Sequence, residues 1–82
     1  MKTFRDLVVW QKGYQLASNV YQATSGFPGS ERFGLTSQMR RCASSVPANI
    51  AEGFGRHRRK EFVRFLQIAQ GSLFEIETYT CL

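Results

Sequence analysis

The segment LTSQMRRCASSVPANIAEGF, residues 35–54, carries apolar side chains at intervals of three and four residues. These positions are Leu35, Met39, Cys42, Val46, Ile50 and Phe54. This spacing places all of them on one face of an α-helix, because the helix repeats about every 3.6 residues. The segment therefore predicts a long helix, over residues 34–53, that buries one face against neighbouring helices.

Pro47 lies inside this helical pattern. A proline in a helix interior removes one backbone hydrogen bond and clashes with the carbonyl four residues earlier. We therefore expect a kink near residue 47, or a short break over residues 44–46, with Ser44 and Ser45 satisfying the freed carbonyls or capping a restart. Further along, Gly53 and Gly55 predict a helix C-cap followed by a turn.

Two further helices are predicted on either side, over residues 7–24 and 59–81. The first repeats apolar residues at Leu7, Trp10, Tyr14, Ala17 and Tyr21, a stripe that Val9, Leu16 and Val20 widen. The second has its inner positions at Phe62, Phe65, Leu66, Ala69, Leu73, Ile76 and Thr80. Asp6 is the predicted N-cap of the first helix. Gly71 costs about 1 kcal/mol in a helix relative to alanine, so we expect a packing reason for it.

Short turns between these helices predict antiparallel neighbours, and thus an all-α up-and-down bundle formed by a single domain over residues 1–82. The chain has no signal-peptide pattern and no apolar run of the roughly 18 residues that a membrane span needs. We therefore expect a cytoplasmic protein without membrane contact. Cys42 and Cys81 are interpreted as buried free thiols.

Catalytic and metal chemistry find no support in the sequence. His57 is the single histidine, so no cysteine and histidine set has the spacing of zinc ligands. Ser44, Ser45, Cys42 and His57 form no recognisable nucleophile and base pair. We therefore expect no enzyme activity, no metal and no cofactor. Asn49 and Glu52 are interpreted as a buried polar pair that sets helix register.

The segment GFGRHRRK, residues 53–60, combines a helix end with a run of cations, in a chain of formal net charge +5. We define the basic corner as Arg56, Arg58, Arg59, Lys60 and Arg64. Cations at the start of a helix are unfavourable by about 0.3–1 kcal/mol each. Two interpretations stay open: a solvated turn, or a site where arginine forks and helix-start amides contact phosphates. Phe54 and His57 could stack on a base at such a site, but Phe54 fits the core face of the second helix better.

Two other polar features have alternative interpretations. The first helix carries an uncharged polar face, which is either a subunit or partner contact or a plain solvated surface. It consists of Gln11, Gln15, Ser18, Asn19 and Gln22. Arg40 and Arg41 lie opposite Glu75 and Glu77 in an antiparallel pair, so ion pairs are favoured there over nucleic-acid contacts.

Four segments together resemble one protein family. They are DLVVWQK (6–12), FGLTSQMRR (33–41), SVPANIAEG (45–53) and EFVRFLQIAQGS (61–72). They are similar to the bacterial four-helix-bundle proteins first described as encoded in intervening sequences of large-subunit ribosomal RNA genes, which accessory proteins of diversity-generating retroelements also resemble. The match covers nearly the whole chain in order.

The resemblance implies a four-helix bundle that assembles into a ring-like homopentamer. It also implies nucleic acid and a reverse transcriptase as candidate partners, since the retroelement relatives bind both, through basic surface. The chain departs from the family in two ways. The usual fourth helix is missing, so we expect either a fragment or a groove that a partner chain covers. Arg58 also replaces a capping serine or threonine.

These observations lead to one hypothesis and one alternative. The hypothesis is a non-catalytic oligomeric adaptor that binds the backbone of RNA or DNA through the basic corner. The alternative is a protein–protein interaction scaffold that does not bind nucleic acid.

Overall fold

A computed structural model of the chain describes residues 2–29 and 34–81. Regular structure in these residues is entirely helical, which confirms the predicted all-α bundle. A short 3₁₀ turn, Phe4–Asp6, precedes three helices: α1 (Val8–Thr24), α2 (Leu35–Gly55) and α3 (Arg59–Thr80).

Consecutive helices run antiparallel. Along the α2–α3 contact, Cys42 hydrogen-bonds Glu75 and Ser45 hydrogen-bonds Ser72, whereas Gly53 lies against Phe65. The start of α2 therefore packs against the end of α3, and the end of α2 packs against the start of α3. Helix α2 is central, because α1 and α3 each pack on it and not on each other.

The separation of α1 from α3 leaves an apolar groove of about 440 Å³ between them. We call it the open groove. It is lined by Val9, Lys12, Gly13, Leu16, Val46, Ile50, Val63, Leu66, Gln67, Ala69, Gln70 and Leu73. Its floor is α2, whose Val46 and Ile50 side chains are almost fully buried.

The buried face of α1 agrees with the prediction only in part. Ala17 and Val20 are buried as predicted, but Tyr14 and Tyr21 are 58% and 44% exposed, whereas Gly13 and Thr24 are buried. The reason is a close approach to α2: a Cβ on Gly13 would lie 3.1 Å from Val46 Cγ1. Small residues thus face the neighbouring helix, and the large tyrosine rings remain outside.

The inner face of α3 agrees with the prediction only in part. Phe65, Ala69 and Ile76 are buried in the core. Ser72, which has a hydrogen-bond partner on α2, is also buried, while Leu73 is 36% exposed. The exposure follows from the open groove, since Leu73 lies on its wall and not against a helix.

The predicted end of α2 at Gly53 is wrong, because the helix continues to Gly55. Gly53 instead permits a close approach of α2 and α3, since a Cβ there would lie 2.6 Å from Phe65 Cβ. The left-handed backbone conformation that often ends a helix is adopted by His57, with φ of 57°.

The first helix also begins differently from the prediction. Leu7 is its N-cap and supplies no side-chain hydrogen bond. Asp6 belongs to the preceding 3₁₀ turn, where its carboxylate accepts hydrogen bonds from the backbone amides of Thr3 at 3.1 Å and Lys2 at 2.9 Å. Those two amides lower the pKa of Asp6.

Pro47 does not interrupt α2, so the predicted break over residues 44–46 is wrong, and the kink stays a prediction. Because Pro47 has no backbone N–H, it cannot donate a hydrogen bond to the Ala43 carbonyl, four residues earlier in the helix. The Ser44 and Ser45 hydroxyls contact other carbonyls, those of Arg41 at 3.2 Å and Cys42 at 2.9 Å.

Candidate nucleic-acid interface

The basic corner lies where the chain turns from α2 into α3. All five of its cationic residues are exposed, and the turn between the helices comprises only residues 56–58. The short connection brings the last turn of α2 and the first turn of α3 side by side. A run of cations in the sequence thus becomes a compact positive surface at one end of the bundle.

Two members of the corner have carboxylate partners on their own helices. Arg56 lies 3.5 Å from Glu52, and Arg64 lies 3.4 Å from Glu61. These side chains are substantially exposed, so each pair contributes at most about 1 kcal/mol. Both guanidinium groups also lie near the Phe65 ring, at 5.3 Å for Arg56 and 5.1 Å for Arg64.

The other three cations, Arg58, Arg59 and Lys60, have no ion pair with any carboxylate in residues 2–29 and 34–81. They occupy the N-cap and the first two positions of α3. Their positive charge is therefore available to a ligand.

The two helix ends that meet here have opposite dipoles. Arg56 is the C-cap of α2, where a cation is favourable, and Arg59 and Lys60 are in the first turn of α3, where a cation is unfavourable. The unfavourable dipole interaction predicted from the sequence concerned only the start of α3. The unfavourable interaction with a helix dipole is thus confined to cations that lack a carboxylate partner.

The first turn of α3 has no side-chain cap. Arg58 forms no capping hydrogen bond, and the carboxylate of Glu61 lies beside Arg64. Backbone amides at the start of an uncapped helix keep their capacity to bind an anion. Amides and cations in this turn therefore favour the same kind of ligand.

Two hollows adjoin the corner. The first, of about 530 Å³, is lined by three cations and one carboxylate: Arg56, Arg58, Lys60 and Glu61. The second, of about 220 Å³, is lined by Leu7, Gly53, Phe54, His57, Arg58, Arg59 and Phe62. We call the second hollow the aromatic cleft. Arg58 borders both hollows.

The sequence suggested base stacking by Phe54 and His57 but favoured the core for Phe54, and it did not place Phe62 beside them. Phe54 and Phe62 are only half-buried, and His57 is exposed. The available signal was the recurrence of an aromatic ring at residues 54, 57 and 62 around a tight turn. This signal could not be interpreted from the sequence alone, because Leu7, which follows the 3₁₀ turn, completes the cleft through a tertiary contact with the α2–α3 connection.

The uncharged polar face of α1 is largely solvent-exposed, and only Ser18 is half-buried. Three of its side chains form hydrogen bonds: the Gln11 amide donates to the Arg5 carbonyl at 2.9 Å, and the Gln15 amide donates to the Asn19 side-chain oxygen at 2.9 Å. The fifth member, Gln22, is exposed. The face lies on α1, apart from the residues that line the two hollows.

The ion pairs predicted for Arg40 and Arg41 with Glu75 and Glu77 are not formed. Arg40 donates to the Thr24 hydroxyl at 2.8 Å and to the Tyr21 carbonyl at 3.2 Å. Its guanidinium lies 4.8 Å from the Tyr21 ring centroid. The residue thus joins α2 to the end of α1, since the exposed tyrosine and the α1 carbonyl are nearer than α3.

Other predicted polar contacts also differ. Asn49 donates to the Ser45 carbonyl at 2.7 Å, and Glu52 is paired with Arg56, so the expected Asn49–Glu52 pair is absent. Both cysteines are free thiols, but only Cys42 is buried, whereas Cys81 is exposed. Burial and a contact with Glu75 at 3.4 Å raise the pKa of the Cys42 thiol.

Residues 2–29 and 34–81 contain no group of three or more histidine, cysteine, aspartate or glutamate side chains that could hold a metal ion. Within the same residues, no helix is both long and apolar enough to cross a membrane.

The fold and the corner define a helical-bundle protein with a positively charged inter-helix turn. The sequence profile of the 23S rRNA-intervening sequence protein family matches residues 5–82, nearly the entire chain. The chain therefore belongs to the 23S rRNA-intervening sequence protein family, which confirms the resemblance seen in the sequence. A comparison with curated proteins gave no match.

Proposed function

We propose that this chain is a non-catalytic adaptor that binds the phosphate backbone of RNA or DNA through the basic corner. The observation that supports the proposal is the placement of Arg58, Arg59 and Lys60. These cations are exposed and have no carboxylate partner in the described chain, and they surround an uncapped helix start. A polyanion would relieve their repulsion and satisfy the amides together.

The family description adds context and not a binding activity. It names 23S rRNA intervening sequences and no ligand. The argument for a polyanionic partner therefore depends on the basic corner and on the formal net charge of +5. A net positive charge favours association with nucleic acid at any sequence.

Self-association belongs to the same proposal. One corner with three free cations would bind weakly at physiological salt, since phosphate contacts lose affinity steeply as salt rises. A symmetric homo-oligomer, a pentamer by family resemblance, would present several corners to one strand and gain avidity. A reverse transcriptase is a further candidate partner on the same resemblance. Light scattering at micromolar concentration tests the oligomer, and a well-folded monomer would contradict it.

The binding experiment measures the fluorescence anisotropy of a labelled structured RNA and of a duplex DNA at about 50 and 200 mM NaCl. The test variant replaces Arg58, Arg59 and Lys60 with alanine. The matched control replaces Lys12, Arg32 and Arg41 with alanine, which removes the same charge at positions outside the basic corner and outside the 3₁₀ turn beside it.

We expect the natural chain to bind at low salt, with a slope of about −0.9 in log affinity against log salt for each phosphate contacted on duplex DNA. The corner variant should bind at least about tenfold more weakly and with a shallower slope, whereas the control retains most of the affinity. Equal losses in the two variants, or no binding at low salt, would contradict the proposal.

A second candidate function, a scaffold that binds protein and no nucleic acid, is favoured by a separate observation. The open groove exposes an apolar surface between α1 and α3, and surfaces of this kind commonly mark protein contacts. The same anisotropy titration distinguishes the two functions, because the scaffold would leave RNA and DNA unbound at low salt.

A further inference from the structure

We propose that the aromatic cleft accepts one unpaired nucleobase, so that the protein prefers single-stranded nucleic acid over a continuous duplex. This inference rests on the proposed function, because the basic corner holds the phosphates on either side of the base.

The chemistry of the cleft matches a base and not a second protein chain or an ion. Its walls are the rings of Phe54, His57 and Phe62, and its volume of about 220 Å³ is smaller than the roughly 300–1,000 Å³ of sites for drug-sized ligands. Such a volume suits a single planar ring system. Stacking of a base on an aromatic side chain tolerates any sequence, because every base has a π face.

Neither of the two ring pairs at the cleft is stacked face to face. The centroids of Phe54 and His57 are 6.4 Å apart with planes at 57°, and those of Phe54 and Phe62 are 6.3 Å apart with planes at 78°. The first pair is therefore inclined and the second edge-to-face. A flat ligand would not have to separate a stacked pair of rings to pack beside these residues.

Charge at the cleft identifies the ligand as a nucleotide. Arg58 and Arg59 line the cleft beside the aromatic rings, and Arg58 also lines the adjacent basic hollow. A base in the cleft would thus have its own phosphate beside Arg58 and the next phosphate within the basic hollow. This alternation of ring and cation is the pattern by which single strands are bound.

Backbone strain lies at the same place. His57 is the one non-glycine residue with positive φ among residues 2–29 and 34–81, at 57°. Such a conformation is strained for residues other than glycine. Glycine would adopt it with less strain, and this position instead carries a histidine ring that lines the cleft.

The test compares three labelled oligomers of the same length by anisotropy at low salt: oligothymidylate, a fully abasic strand with the same phosphates, and a blunt duplex. We expect oligothymidylate to bind roughly tenfold more tightly than the abasic strand. His57→Gly is the test variant, because glycine tolerates the positive φ and the fold is preserved. It should lower the affinity for oligothymidylate several-fold and leave abasic binding unchanged.

Phe62→Leu is a second variant, which keeps an apolar side chain in the wall while removing the ring. Phe74→Leu is its control, because Phe74 is 57% exposed on the same helix and distant from the cleft. Circular dichroism establishes that each variant is folded. A ratio of oligothymidylate to abasic affinity that falls in Phe62→Leu but not in Phe74→Leu supports the cleft.

The outcomes separate the two proposals. Equal binding of oligothymidylate and the abasic strand, with both weakened by salt, overturns the base site and leaves the backbone contact intact. Tighter binding of the duplex than of either single strand overturns it as well. Absence of binding to all three oligomers overturns both the base site and the proposed function.

Discussion

At the scale of single residues, two glycines in helix interiors have opposite roles. A Cβ on Gly53 would lie 2.6 Å from Phe65 Cβ, whereas a Cβ on Gly71 would meet nothing within 4 Å. The packing reason predicted for Gly71 is therefore not found among the described residues. We therefore expect Gly53→Ala to destabilise the fold by about 1–3 kcal/mol through overpacking. Gly71→Ala should stabilise it by about 0.5–1 kcal/mol through helix propensity. Urea denaturation followed by circular dichroism measures both changes, and two shifts of the same sign would contradict the explanation.

Cysteine reactivity provides a second prediction at this scale. Cys42 is buried and Cys81 is exposed, and burial raises the pKa of the Cys42 thiol. The reactive species is the thiolate. In a thiol-disulfide exchange assay, we expect the Cys81→Ser variant, which retains only Cys42, to react at least about tenfold more slowly than the Cys42→Ala variant.

The raised pKa of Cys42 also affects stability, with a defined sign. Above about pH 8.5 a thiol in the unfolded chain loses its proton, while the folded chain keeps it until its higher pKa is reached. The unfolded state then binds fewer protons, so the free energy of unfolding falls as pH rises through this window. Relative to the Cys42→Ala variant, the natural chain should lose stability across the window. If the free energy of unfolding depends on pH in the same way in the natural chain and in the Cys42→Ala variant, the raised pKa of Cys42 has no effect on stability.

At the scale of helices, Arg40 links α2 to the end of α1 through neutral partners. We expect Arg40→Met to destabilise the fold by about 1–2 kcal/mol, since two hydrogen bonds from a charged group are lost. The loss should be nearly the same at low and high salt, because no carboxylate takes part. Arg41→Met, at an exposed neighbouring position, is the control and should stay within about 0.5 kcal/mol of the natural chain. If the loss of stability vanishes at high salt, this explanation is contradicted, and the originally predicted ion pair between Arg40 and Glu75 is favoured again.

The helices also show what sequence periodicity can and cannot predict. The apolar face of α2 was predicted correctly at Met39, Val46 and Ile50, because a central helix buries its apolar residues against both neighbours. The face of α1 was predicted correctly at Ala17 and Val20 but not at Tyr14. The outward position of Tyr14 depends on Gly13, whose close approach to α2 becomes apparent only in three dimensions.

The same limit applies to the candidate site. The basic corner was predictable because its cations are contiguous in the sequence and a short turn keeps them together. The partners of Arg40 were not, because helix register decides whether a long side chain reaches α1 or α3. The aromatic cleft likewise needs Leu7, which is distant in sequence from Phe54.

At the scale of the whole molecule, the arrangement of α1 and α3 on either side of α2 leaves the open groove as an apolar surface in the folded state. A dye that fluoresces in apolar surroundings should bind this groove even when near-ultraviolet circular dichroism shows fixed packing around Trp10. That combination distinguishes a native groove from a molten state, in which tertiary signals are lost. We expect Leu73→Lys, on the groove wall, to reduce the dye signal at least about twofold. Phe74→Lys is the matched control, because Phe74 is the next residue on α3, is more exposed, and does not line the groove. Equal reductions in the two variants would assign the dye to general surface hydrophobicity, and a dye signal that appears only when the Trp10 signal is lost would show that the groove is closed in the native protein.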